Sequence, residues 1–150
     1  MIQKLAQQLA EMESMIPMAE TQNSGISHAS AGWHLAHNIL VINQVTSAIA
    51  KSDPVNYKPR FSWTKFIIFL TKNIPRGKAK APKAVEPTPD MDLQEALERA
   101  SLAIINLMSV APNQFFPHPY FGDLNRDKTI KFLWIHTEHH LKIVRDLLKK

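Results

Sequence analysis

The sequence predicts an all-α protein, a four-helix bundle with one long crossover connection between its second and third helices. Three observations carry this. Four stretches repeat apolar residues at spacings of three and four, the period of an amphipathic helix. No segment alternates clearly enough to read as a strand. A connection from Asp53 to Pro89, holding six of the ten prolines, separates the second and third stretches. An irregular connection of that length is uncommon in a compact domain unless it covers or does something.

In the first helix, Leu5, Leu9, Met12 and Ile16 set the stripe, and the helix is expected from Ile2 to about Ala19. The second follows Ser27 or Ser30, either of which can cap it, and runs to about Lys51 before Ser52-Asp53-Pro54 ends it. Its stripe is Leu35, Ile39, Ile42, Val45 and Ile49. Inside the long connection, Trp63 to about Thr71 is expected as a short apolar helix. The third long helix starts at Asp90 or Asp92 and reaches about Val110. The fourth opens near Asn125-Arg126-Asp127 and continues to the C-terminus.

Length and composition limit the options. With 150 residues, one domain spanning 1–150 can bury a single core. No run approaches the ~18 apolar residues of a membrane helix, and the amphipathic start Met1 to Gln8 lacks a secretory apolar region. The expectation is a cytoplasmic protein with no membrane partner. The absence of cysteine excludes disulfides, a thiolate nucleophile and Cys-ligated metals, so any metal must be held by His, Asp, Glu or water. The net charge of +5 is concentrated in Lys72, Arg76, Lys78, Lys80 and Lys83 and at the C-terminus. No aromatic-interleaved basic face accompanies it, so no nucleic-acid partner is expected.

Five of the seven histidines fall in two clusters, His34 with His37 and His136-Thr137-Glu138-His139-His140. His136 and His140 are four apart, so on a helix they project from one side, one turn above the other. At about 100° per residue, Ile130, Leu133, Trp134, Thr137, Leu141, Val144 and Leu148 form the apolar stripe of the last helix. His136 and His140 flank that stripe. His139 falls beside Asp146, toward solvent, and Glu138 joins the solvent face. On the second helix the same construction puts His34 slightly further inward than His37 without excluding either. Two imidazoles on one face can hold a divalent metal if a third ligand arrives from elsewhere. The helix lacks the Glu beside the first His that a zinc-protease motif uses as general base.

Four segments carry a resemblance. They are Ser30-Ala31-Gly32-Trp33-His34-Leu35-Ala36-His37, the stretch Ile74 to Pro82, His118-Pro119-Tyr120-Phe121-Gly122-Asp123-Leu124, and Phe132 to Leu141. Together they resemble the DinB-like superfamily of metal-binding four-helix bundles, and within it a branch with a His-Pro-aromatic-Phe-Gly loop before the last helix. The resemblance implies that a His on the second helix and a His-x-x-x-His on the fourth share one metal. It maps the ligands on His37, seven residues after Ser30, and on His136 and His140, with His34 as the alternative to His37. It also implies a divalent metal, zinc or nickel, and a transferase or isomerase reaction using a small-molecule thiol. No catalytic residue is assigned by it.

The alternative is a non-catalytic bundle that binds a small ligand or a partner and keeps a vestigial metal site. A homodimer is compatible with either. Arg76-Gly77-Lys78-Ala79-Lys80 reads as a solvated linker or, if the connection folds back over the histidines, as an attraction for an anionic substrate. Residues 60–72 are expected to cover the bundle or a second subunit, with Phe61, Trp63, Phe66 and Phe69 facing inward. Trp33 and Trp134 are expected to line core or cleft. His118 is expected to cap a helix end or bond a backbone carbonyl rather than serve the metal.

Overall fold

The computed structural model describes residues 1–77 and 81–149. It is mostly helical, with five α-helices among the described residues and a small two-stranded sheet. The helices are α1 (Ile2–Met15), α2 (Ala31–Lys51), α3 (Trp63–Thr71), α4 (Leu93–Asn106) and α5 (Arg126–Leu148). The strands are β1 (Phe115–His118) and β2 (Gly122–Asn125). None of the described helices is long and apolar enough to cross a membrane.

Helices α1 and α2 each pack against both α4 and α5, around one core. Leu5, Leu9 and Met12 enter it from α1, Leu35, Ile39 and Ile42 from α2, Leu97 and Ile104 from α4, and Leu133, Leu141 and Val144 from α5. These are the stripes that the period near 3.6 requires. Boundaries follow local chemistry. Ser30 Oγ accepts the Trp33 N–H at 3.1 Å and fixes the start of α2, a cap worth about 1 kcal/mol. Asp92 and Asn125 cap α4 and α5 in the same way. Helix α1 gives way to a 3₁₀ turn, Ile16–Met18, one residue before Pro17, because a proline ring cannot continue the ladder. The C-terminus of α2 is closed from outside, where Gln114 Nε2 donates to the carbonyls of Ile49, Ala50 and Ser52.

Gly32 allows the chain before α2 to return onto its first turn. Its N–H donates to Ala19 O at 2.7 Å, and an added Cβ would meet the Ala19 Cβ and carbonyl oxygen, both at 3.0 Å.

The hairpin corrects the reading that no segment forms a strand. Phe115 pairs with Asn125 and His118 with Gly122, antiparallel. Each strand has four residues, too few to show a period of two, and Pro117 argues against a ladder. Gly122 closes the three-residue connection at φ +69°, a conformation glycine adopts without steric cost.

Helix α3 forms with the expected bounds, capped by Ser62 Oγ on the Lys65 N–H. Its expected packing over the bundle does not hold. Ile68 is buried and Phe69 packs edge-on to Phe121, 6.1 Å between centroids. Phe61, Trp63, Phe66, Ile67 and Leu70 stay exposed. In place of a full cover, the connection docks through a few points, including Lys65 Nζ on Phe121 O at 3.0 Å.

Candidate metal centre

Both histidines of α2 are buried, and so is His140 of α5, while His136 keeps partial exposure. One ring nitrogen from each of His37, His136 and His140 lies within 4.8 Å of the other two, so these residues could hold a metal ion. The ring centroids of His37 and His140, and of His136 and His140, are 4.7 Å apart. Helix α2 thus contributes one donor and α5 two.

Each of the three rings is held through Nδ1. His37 Nδ1 lies 2.8 Å from the Val85 carbonyl oxygen, and because a carbonyl only accepts, this nitrogen carries the proton. His136 Nδ1 lies 3.1 Å from Asn38 Oδ1, also an acceptor. The Asn38 amide nitrogen donates to Thr137 O at 3.4 Å, which fixes which end of the amide faces the imidazole. His140 Nδ1 lies 3.0 Å from His34 Nδ1, and His34 Nε2 lies 2.9 Å from Ser27 Oγ. The tautomer set that treats all three rings alike has His140 donating to His34 and His34 donating to Ser27. In that set Nε2 of His37, His136 and His140 carries a free lone pair. Acceptors on Nδ1 of this kind orient metal-binding imidazoles and raise their basicity.

The rings stay neutral at physiological pH. Burial is the largest cause in every case. It lowers His37, opposed by the bond to Val85, and it lowers His136 and His140 well below the usual imidazole value, reinforced by the other histidines. Burial and then His37 push His34 down to about 4. A neutral imidazole is the form that binds a metal.

The family model that matches residues 22–147 is described as Protein of unknown function (DUF1569). The chain belongs to the DUF1569 family. No curated protein and no solved structure matches it. The part shared with the DUF1569 model contains both helices that supply the histidines, together with Ser27, Asn38 and Val85. Helix α1 lies outside it.

The remaining sequence expectations fare unevenly. His34 and His37 both point inward, where a choice between them was expected, and they do different things. His37 joins the cluster of donors and His34 supports His140 from behind. His139 is not on the solvent side. It is half-buried, and burial first and then Arg76 lower its pKa, against an opposing influence of the nearby Ile74 backbone. The connection before α4 reaches further over α5 than a helical wheel can reveal. Glu138 is likewise not free in solvent. It accepts from Arg145 at 2.7 Å and from Gln8 at 2.9 Å, which hold it below its ordinary value although burial acts the other way.

His118 stands apart from the cluster. Its Nδ1 accepts the Tyr120 and Phe121 N–H groups, so it secures a hairpin turn, neither a helix end nor a carbonyl. Trp33 stacks on His37 at 5.1 Å and 7° between planes, and so lines the cleft. Arg76 reaches α5, pairing with Asp146 at 2.7 Å. Lys78 and Lys80 lie outside the described residues.

Reading the sequence missed Asn38, Ser27 and the Val85 carbonyl. Asn38 left a signal, a carboxamide between His37 and Ile39 on the buried side of α2. Val85 left none, because the group used is its backbone.

Proposed function

We propose that this chain is a metal-dependent enzyme of the DinB-like kind, working in the cytoplasm. In this reading α1, α2, α4 and α5 are the four-helix bundle and α3 belongs to its crossover. His37, His136 and His140 hold one divalent ion, zinc or nickel, through Nε2. The observation that carries the reading is the set of three Nδ1 contacts to Val85 O, Asn38 Oδ1 and His34 Nδ1. Three core histidines satisfied for packing alone would not need every open nitrogen on the same side of the chemistry. Burial keeps each ring unprotonated, so no proton has to be displaced when a cation enters.

Three imidazoles leave coordination positions for a reactant, as in catalytic rather than structural sites. A bound ion there supplies Lewis acidity that lowers the pKa of a water or a thiol. The chain has no cysteine, so the thiol of a transfer or isomerisation reaction comes from a small-molecule cosubstrate. Trp33 shields His37 from bulk water by stacking on it. Arg76 lowers the pKa of His34 and His139, and although Asp146 pairs with it, its guanidinium is the cation an anionic substrate would meet beside the site.

The test is elemental analysis of protein purified without an affinity tag, with thermal unfolding before and after a chelator. About one equivalent of metal and a lower Tm after chelation are expected, since a ligand held only by the folded state stabilises it. Metal-free protein whose Tm ignores the chelator would favour the non-catalytic ligand-binding bundle instead.

A further inference from the structure

Helix α3 presents Trp63, Phe66, Ile67 and Leu70 to solvent at spacings of three, one and three, an outward apolar stripe on one side of a helix. Trp63 and Leu70 are each 69% exposed, as is Phe61 just before the helix. Phe61 and Trp63 meet edge to face at 5.0 Å, so the aromatic patch is contiguous rather than scattered. A stripe of this kind usually marks a contact.

Cations flank helix α3 at its two ends and on its bundle-facing side, where Lys72 Nζ stands 5.7 Å over the Trp134 ring. Lys58 and Arg60 precede the helix, Lys65 lies within it and Lys72 caps it. Lys128 and Lys131 approach from α5, Lys131 standing 5.1 Å over the Phe69 ring. The Lys65 ammonium is bonded to two carbonyls, Arg60 O and Phe121 O, which orient it without neutralising it. Burial lowers its pKa, and the charges of Lys128 and Arg60 lower it further against the opposing Asp123. The positive charge here is crowded.

We infer that the α3 face is a docking surface for an anionic phospholipid bilayer, with the aromatic stripe entering the headgroup boundary and the exposed Lys58, Arg60 and Lys72 at the helix ends meeting lipid phosphates. Charge complementarity selects this occupant. A two-fold contact through the same face of a second copy would bring two sets of Lys58, Arg60 and Lys72 into one interface, with no carboxylate on α3 to meet them. An apolar helical stripe with basic flanks and aromatic residues at its edge suits an interfacial position. The helix lies on the surface and does not span it.

Co-sedimentation of the full chain with vesicles tests this. Binding to phosphatidylcholine–phosphatidylserine vesicles is expected, weakening as salt is raised because the attraction is screened. The double variant Phe66→Glu/Leu70→Glu should reduce it by about tenfold or more, since both side chains leave water only on docking. Its Tm should match the parent, because both positions are exposed. The control variant Leu102→Glu/Ile105→Glu, on the exposed face of α4, should bind like the parent. Any of three results would overturn the inference: no binding to anionic vesicles at low salt, equal binding to pure phosphatidylcholine, or binding untouched by the α3 variant. A concentration-dependent dimer abolished by Phe66→Glu/Leu70→Glu would also overturn it and assign the face to a second copy.

Discussion

Helices α2 and α3 are both rich in large apolar side chains, yet they stand in opposite environments. In α2, Leu35, Ile39, Ile42 and Ile49 are buried to 1% exposure or less, and the polar groups among them, His34, His37 and Asn38, are hydrogen-bonded. In α3 only Ile68 is buried, and the stripe from Trp63 to Leu70 faces out. Apolar content decides that a surface gains by leaving water. What it meets depends on which neighbours the connections bring. Helix α2 is flanked by α4 and α5, which cover it from two sides. Helix α3 hangs on a proline-restricted connection and reaches α5 at few points.

The sharpest way to break this contrast is a pair of truncations. Ile39→Ala should cost about 2–5 kcal/mol, a buried side chain lost with a cavity left behind, whereas Ile67→Ala should stay within about 0.5 kcal/mol. Urea unfolding measures both. Similar losses would mean that α3 is covered in solution.

The next effect lies in the α2–α5 seam. His140→Ala removes a donor and strips His34 of its partner, so metal affinity should fall roughly a hundredfold or more, beyond what loss of an outer contact costs. His139→Ala should change it little, since His139 is outside the set of three. Competition titration against a chromophoric chelator reads both. Equal losses would contradict the assignment.

His34→Ala tests the support behind His140 and should cost about tenfold in metal affinity. The same titration at several pH values tells whether the ligand protonates more readily without its acceptor. An unchanged affinity would show that the contact between His34 and His140 carries no orientation.

A smaller effect is expected in acid. Burial, with Lys65 nearby, brings His118 down to about 4 from 6.5. Its folded pKa is depressed, so the unfolded chain binds the extra proton first. The stability due to its neutral form is complete above about pH 6.5 and disappears as pH falls through about 4. His118→Asn can keep an acceptor for the turn and should flatten this decline by about 1 kcal/mol in urea titrations between those limits. An unaltered slope would point to the other buried histidines as its source.

Much of this was legible in the residues. Apolar spacing located all four long helices and the short one at Trp63–Thr71, because helix period and capping are local properties. Ser30, Asp92 and Asn125 cap for the same reason, although the sequence left Ser27 and Asp90 equally open. The i, i+4 spacing of His136 and His140 settles which way both rings project. The hairpin was not legible, since four-residue strands bridged by Pro119-Tyr120-Phe121 leave no periodic trace. The inward turn of His139 and Glu138 was hidden too. A wheel treats each helix alone and cannot know that Ile74, Gln8 and Arg145 come to meet them.

The sequence by itself determined the helical class, the approximate positions of the helices, the exclusion of cysteine chemistry and the shared side of His136 and His140, whereas α1 ends at Met15 and α4 at Asn106, short of the expected Ala19 and Val110. Apart from the cysteine exclusion, which rests on composition, each depends on residues within a turn or two of one another. Only the tertiary structure decided that His37 joins that pair while His34 stands behind His140, that the Val85 carbonyl holds His37 across 48 positions of chain, and that the stripe of α3 faces outward. Those outcomes depend on how separate helices and a long connection come together, and contacts between distant parts of a chain have no local period to announce them.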